Sequence, residues 1–248
     1  MKSRAAAKAT VGAGRSPSAR TDSRSSPSGD SGRSSAARAD PGRSAARSGL
    51  RDSAAALPNE VRVIGGAWKR SKLPVADRPG LRPTPDRVRV TLFNWLGQTL
   101  DGWRCVDAFA GSGALGFEAA SRGAAEVVLI ERDPVLVASL AATRQRLNAE
   151  TVRVERADAL QWMARAPAAS FDVVFLDPPF DSPLLAPALA AAARIVVDGG
   201  FVYAEGPTPV DPARMADAGL APWRADWAGA VHFELLRRAP NGAGPNAA

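Results

Sequence analysis

The stretch that decides the fold is VDAFAGSGALG, residues 106–116. An apolar run, RCVDAFA at 104–110, gives way to Gly111, Gly113 and Gly116 and then to GALGFEAASRG at 113–123. The first piece reads as a strand. The second reads as a helix stopped by Gly123, since a glycine just past the last turn accepts the left-handed backbone that ends many helices. Glycines at G-x-G-x-x-G spacing let the chain turn sharply and let a ligand reach backbone that side chains would otherwise block. The next apolar run, EVVLIE at 126–131, ends on Glu131, 20 residues after Gly111. A carboxylate there can accept hydrogen bonds from both hydroxyls of a ribose. This much supports a dinucleotide or another adenosine-containing ligand.

Outward from that unit the pattern repeats. A helix from Asp133 as N-cap and Pro134 to about Asn148 comes next, followed by strands at VRVE (152–155), FDVVFLD (171–177) and GGFVYAE (199–205), with helices around 158–165 and 183–194. Apolar strands separated by helices predict a parallel sheet covered on both faces. The end differs: PWRADWAGAVHFELLRR carries two alternating runs around Gly229, a terminal hairpin that closes the sheet. Upstream, VRVIGG (61–66) and KLPVA (72–76) flank a basic WKR and predict a small β-hairpin. In LRPTPDRVRVTLFNWLG, Thr84 stands as N-cap and Pro85 as first helical residue, while Val88, Leu92 and Leu96 recur every four residues up to Gly97. The chain therefore divides into a tail (1–56), a hairpin-and-helix extension (57–100), an α/β domain (101–240) and a short C-terminal stretch (241–248).

Composition narrows the chemistry. Residues 1–56 are Ser, Ala, Arg, Gly and Pro with almost no large apolar side chains, too few to offset the entropy of ordering. This segment is expected to be a disordered basic arm, or sequence upstream of the true start; its Arg-rich, acid-poor makeup also resembles an organellar transit peptide. The net charge of +7 is concentrated at this end. Residues 1–56 contribute 11 basic against 4 acidic groups and residues 57–89 contribute 8 against 3, whereas residues 90–248 hold 13 against 18. A +5 extension thus precedes a domain of −5. Cys105 is the only cysteine, which excludes intrachain disulfides and thiolate metal clusters and marks it as core filler. His232 is the only histidine, so neither a Ser–His triad in the motif regions nor a zinc site is expected. No run approaches the ~20 apolar residues of a membrane helix.

Two details favour S-adenosylmethionine over NAD. Asp107, four residues before Gly111, would repel a pyrophosphate but can order the loop beside the cationic amino end of methionine. Asp158 follows the third strand, placed to meet an adenine amino group, although it also reads as a helix N-cap. The second signal is FLDPPFDS, residues 175–182. Asp177 ends the fourth strand and should face the same crevice as Gly111 and Glu131, because ligands of open α/β sheets sit outside the carboxyl ends of the strands. Pro178 and Pro179 stiffen the turn and supply a carbonyl with no competing N–H on its own residue. A carboxylate beside a rigid carbonyl complements a planar exocyclic amino group, and Phe180 offers a ring on which a splayed-out base can stack.

DPPF after DAFAGSGALG resembles the amino-directed, S-adenosylmethionine-dependent methyltransferases. With RVIGGAWKRSKLPV, GLRPTPDRVRVTLFNWL and LIERD, the chain is similar to the bacterial 16S rRNA guanine-N2 methyltransferase family over roughly residues 61–238. The resemblance implies a Rossmann-like seven-stranded sheet with a reversed last strand and an N-terminal β-hairpin extension. It implies methylation of N2 of a guanine in 16S rRNA, within the small ribosomal subunit or an assembly intermediate. Asp177, Pro178, Pro179 and Phe180 would carry the reaction; Asp107, Gly111, Gly113, Gly116, Glu131 and Asp158 would hold the donor. Trp68, Lys69, Arg70, Lys72, Arg82, Arg87 and Arg89 would meet RNA. Val90 departs from the family, which usually has an acidic residue there. The expected protein is a cytoplasmic monomer that uses no metal and no membrane. Methylation of adenine or cytosine amino groups uses the same four-residue motif, but only 68 residues follow Phe180, too few for a separate target-recognition region. A protein glutamine methyltransferase would prefer Asn at 177, an NAD-dependent oxidoreductase would need no DPPF, and a non-catalytic assembly factor would not need the intact pocket residues.

Overall fold

The computed structural model describes residues 60–76 and 84–240. The basic tail, Arg82 and residues 241–248 lie outside the described residues, so expectations placed on them stay expectations. Strands β3 (Arg104–Asp107), β4 (Glu126–Glu131), β5 (Val152–Arg156), β6 (Phe171–Leu176) and β7 (Val196–Gly206) alternate with helices α2 (Ala114–Ser121), α3 (Pro134–Arg146), α4 (Ala159–Arg165) and α5 (Leu185–Ile195). β8 (Leu220–Ala228) and β9 (Val231–Arg238) complete a seven-stranded sheet of order β5-β4-β3-β6-β7-β9-β8. The first five strands run parallel, and β9 inserts antiparallel between β7 and β8. This is the reversed last strand, and the terminal hairpin turns at Gly229, whose φ is 62°. Among the described residues no helix is long and apolar enough to cross a membrane.

The sheet is covered on both sides, as its near-continuous apolar strands require. One core joins α1 (Asp86–Leu96), α2 and the hairpin of β1 (Glu60–Arg62) and β2 (Lys72–Pro74) to Val127, Val173, Phe175, Tyr203 and Phe233. The other joins α4, α5 and the short α6 (Pro212–Asp217) to Val106, Val128, Val174, Val202 and Leu236. Cys105 is fully buried, and burial pushes its thiol pKa far up, so it behaves as an apolar side chain. α1 crosses the first face through Phe93 against Phe175 and Trp95 stacked on Phe233.

Two sequence expectations about α1 fail. Pro85, not Thr84, occupies the N-cap position, and no side chain caps the helix. Thr84 is buried, and its hydroxyl is spent elsewhere, as described below. Arg89, expected to meet RNA, has no exposed surface at all. Its guanidinium donates to the Arg62 carbonyl at 2.9 Å and to Asp86 at 2.6 Å, and lies 3.7 Å from Glu118. Glu118, on α2, also accepts from the backbone N–H of Ile64 (2.7 Å) and Gly65 (2.8 Å) and from Arg122 Nε (2.8 Å). A buried carboxylate is tolerated only with such partners, and here the partners tie the hairpin and α1 to the helix that follows the glycine loop. Gly65 and Gly66 permit this approach, since a Cβ on Gly66 would stand 1.8 Å from the Ser121 carbonyl oxygen.

Candidate active site

Four of the five parallel strands end on or beside an acid: Asp107, Glu131, Asp177 and Glu205. Pairing of Asp107 with Phe175 and of Leu176 with Ala204 brings these ends together, so that Asp107 and Glu205 both feel the Asp177 charge and Asp107 also feels Glu131. The crevice is therefore acidic and lies at the carboxyl ends of the strands, where open α/β sheets bind ligands.

The glycine loop is held from both sides. Asp107 Oδ2 accepts from Gly116 N at 3.0 Å, and Glu131 Oε2 accepts from Gly111 N at 3.1 Å. Gly111 and Gly113 have φ of 52° and 76°, in the left-handed region. Gly116 serves packing instead: a Cβ there would stand 2.1 Å from Leu129 Cδ2. Glu131 Oε1 accepts from Arg132 and Asp133 N–H, both at 2.8 Å. Three N–H groups thus orient one half-exposed carboxylate and still leave it acceptor capacity. Asp107 is almost fully buried; burial raises its pKa to about 7, opposed by the Gly116 N–H and reinforced by Asp177 and Glu131. Asp158 is exposed and does cap α4, accepting from Gln161 N at 2.9 Å through Oδ1, which leaves Oδ2 open. An adenosine with a cationic amino-acid end fits this donor and acceptor set: a pre-oriented carboxylate for a ribose, a buried carboxyl awaiting a cation, and an acceptor on the next strand end. A pyrophosphate does not fit beside Asp107.

Asp177 sits at the far side of the same crevice. Its Oδ2 accepts from Thr84 Oγ1 at 3.2 Å, and burial of the carboxyl raises its pKa to about 7, with the Thr84 hydroxyl pulling the other way. The two prolines differ. Pro179 O accepts from Ser182 N (3.0 Å) and Ser182 Oγ (2.6 Å), whereas Pro178 O accepts no hydrogen bond among the described residues. Pro178 is buried, so the acceptor left open is a rigid one; Phe180 is 38% exposed on the loop beyond it. Tyr203 and Glu205 were not singled out in the sequence, and Thr84 was read only as a helix cap. Tyr203 OH donates to Glu205 Oε1 at 2.7 Å, and Thr84, which donates to Asp177, also neighbours Glu205.

The RNA-facing expectations divide. Lys69, Arg70 and Arg87 are exposed, and Trp68 is half-buried against the first core. Lys72 is exposed but pairs with Glu60 at 2.7 Å. Arg89 is the buried structural residue already described.

The family described as "Conserved hypothetical protein 95" matches residues 61–237. The chain belongs to that family. Its match begins at the hairpin and leaves out the basic tail. Ribosomal RNA small subunit methyltransferase D of Escherichia coli K12 is 40% identical over 190 residues, 74% of this chain and 92% of the relative. The protein of the same name from Haemophilus influenzae is 48% identical over 126 residues, 49% of this chain and 64% of that one. A solved structure from Escherichia coli assigned to the methyltransferases superposes with a TM-score of 0.63 at 36% identity, covering 73% of this chain and 98% of its own. The Rossmann-like sheet with its reversed strand is thus a methyltransferase fold.

Proposed function

We propose that this protein transfers a methyl group from S-adenosylmethionine to the exocyclic N2 of a guanine in small-subunit ribosomal RNA. The observation that carries the reading is the pair of acceptors at the end of β6: Asp177, with one oxygen uncommitted, and the Pro178 carbonyl, which accepts no other hydrogen bond among the described residues. Two acceptors at a rigid turn complement the two N–H groups of an exocyclic amine, and the exposed Phe180 ring supports a base lifted out of its stack. The names of the relatives support ribosomal RNA as the substrate class.

When bound, the sulfonium donor supplies an electrophilic methyl group and leaves as a neutral thioether. Glu131 would hold its ribose, Asp107 its ammonium and Asp158 its adenine amino group. The lone pair of a guanine N2 is delocalised into the ring. Hydrogen bonds to Asp177 and Pro178 make that nitrogen more tetrahedral and aim it; positioning of this sort can supply ~7–11 kcal/mol of a barrier at its best. Once nitrogen carries the methyl group it is cationic and one of its two protons is acidic, and a carboxyl with pKa about 7 is suited to receive it near neutral pH. Lys69, Arg70, Lys72 and Arg87 would position the RNA through its phosphates.

The test is Asp177→Asn. The variant should bind donor and RNA normally, yet transfer methyl at least ~100-fold more slowly in a single turnover. Nucleoside analysis of free rRNA and whole small subunits incubated with the wild-type protein should give N2-methylguanosine. A methylated adenine or cytosine would refute the guanine assignment, and an Asp177→Asn rate near wild type would refute the role of the β6 acceptors.

A further inference from the structure

Behind Asp177 lies a second carboxyl that the proposed reaction does not use. Glu205 is 2% exposed, and it sits beside Asp177 because β6 and β7 pair Leu176 with Ala204. Tyr203 OH donates to Oε1 at 2.7 Å, and Thr84, which donates to Asp177, is the other polar neighbour of the carboxyl. The titratable groups around it are Tyr203 on its own strand, Asp177 from the end of β6 and Asp107 from β3; β9 presents the uncharged Phe233 opposite it, and the segment before α1 presents Thr84. No cation is among them. Burial, with the Asp177 charge added, raises the Glu205 pKa well above the ordinary carboxyl value, which favours its neutral form.

A neutral carboxyl in this position has one acceptor and one donor to place. The acceptor is taken by Tyr203, which leaves the O–H for Thr84. A threonine hydroxyl that accepts from Glu205 has its own proton free for Asp177, and Thr84 Oγ1 does stand 3.2 Å from Asp177 Oδ2. All three hydrogens then point the same way, toward Asp177, and such chains reinforce one another. We propose that Glu205 is a positioning residue for methyl transfer: through Thr84 it fixes Asp177 Oδ2 and thereby presents Asp177 Oδ1 to the amino group of the substrate. An ionised Glu205 would do the reverse, competing for the Thr84 proton and repelling Asp177. The inference rests on the role given to Asp177 above.

The experiment compares Glu205→Leu, which keeps volume but removes both hydrogen-bonding functions, with Glu205→Gln, whose amide accepts from Tyr203 and donates to Thr84 without ionising. Donor affinity by calorimetry, binding to small subunits, and single-turnover rate from pH 6 to 9 are the readouts. Glu205→Leu should lose roughly 10–100-fold in rate and shift the midpoint of the pH profile, with donor affinity held within about threefold. Glu205→Gln should restore most of the rate and the wild-type profile. Thr84→Val and Thr84→Ser provide the same loss and rescue one link along the chain if Glu205→Leu does not fold. In the protein without substrate, infrared spectra recorded between pH 6 and 9 should contain the C=O stretch of a protonated carboxyl that the spectra of Glu205→Gln lack. Absence of that band, a Gln variant as slow as Leu, or a Leu variant with wild-type rate and profile would each overturn the proposal. If Asp177→Asn itself proves active, the proposed function fails instead, and the infrared band still reports on Glu205 alone.

Discussion

Raising the pH from 6 to 8 should tighten binding of S-adenosylmethionine to the free protein by about tenfold, with Asp107 as the responsible group. Burial is the main reason its pKa stands at about 7 rather than 3.8, and Asp177 and Glu131 add to it against the pull of the Gly116 N–H. In the role proposed for Asp107, only the ionised carboxyl would pair with the donor's ammonium. Roughly one-tenth of the protein is competent at pH 6 and about nine-tenths at pH 8, and the apparent affinity scales with that fraction. At pH 7 binding should release about half a proton, measurable by titration calorimetry in two buffers of different ionisation heat. Stability runs the opposite way. Between about pH 4 and 7 the folded protein holds a proton that the unfolded chain has lost, so Asp107's contribution to the stability of the donor-free protein falls as pH rises through that window. Asp107→Asn should flatten the affinity profile and bind at pH 8 more than about tenfold more weakly than wild type does at that pH. A flat wild-type profile without proton release would refute the reasoning, and an Asn variant that keeps the slope would move the effect to Asp177.

Two further outcomes follow from the extension. Glu118→Ala should cost about 3–5 kcal/mol in urea unfolding, because it strands the N–H groups of Ile64 and Gly65 and two buried guanidinium groups; a loss under about 1 kcal/mol would mean the hairpin is docked by other contacts. Reversing Lys69 and Arg70, which are exposed and make no ion pair within the described residues, should weaken small-subunit binding and reduce its salt slope by roughly 2, with donor affinity intact; an unchanged slope would remove the hairpin from the RNA interface.

The sheet was legible because parallel strands buried on both faces leave uninterrupted apolar runs, and because Asp133 with Pro134 marks a helix start by a local hydrogen bond that the structure reproduces at 2.7 Å. Thr84 misled for the converse reason. Thr-Pro-Asp carries a local capping signal, but the hydroxyl found a partner 93 residues away, and no window of sequence contains that choice. Arg89 was read as part of a basic patch, yet it precedes Leu92 and Phe93 by three and four residues and so lies on the apolar face of α1. The spacing held the answer, and the charge count obscured it. α6 spans six residues, too few for a helical period to register. Glu205 was the most recoverable of the residues not singled out, since VYAE ends an apolar run on an acid just as VVLIE and VVFLD do.

That shared ending has an electrostatic consequence. Four ionised carboxylates at adjoining strand ends, two of them buried and two half-buried, would repel one another at a high cost to the fold. The cost is reduced by protons: burial favours the neutral form of Glu205, Asp107 and Asp177 are each about half-ionised near pH 7, and the partly exposed Glu131 accepts from three N–H groups. The crevice is thus poised rather than charged. Arrival of a cationic ligand supplies what the free protein lacks, a positive partner that makes ionisation of Asp107 favourable. The same shift reaches Asp177 with two signs, since an ionised Asp107 disfavours its charge while a nearby sulfonium favours it. Which sign prevails can be read in the pH profile of methyl transfer: a midpoint below about 7 in the donor complex means the cation dominates, and Asp177 then enters the reaction ionised, as an acceptor for the amino group requires. A midpoint well above 7 would mean that Asp177 meets its substrate protonated, and the acceptor role assigned to it would not stand.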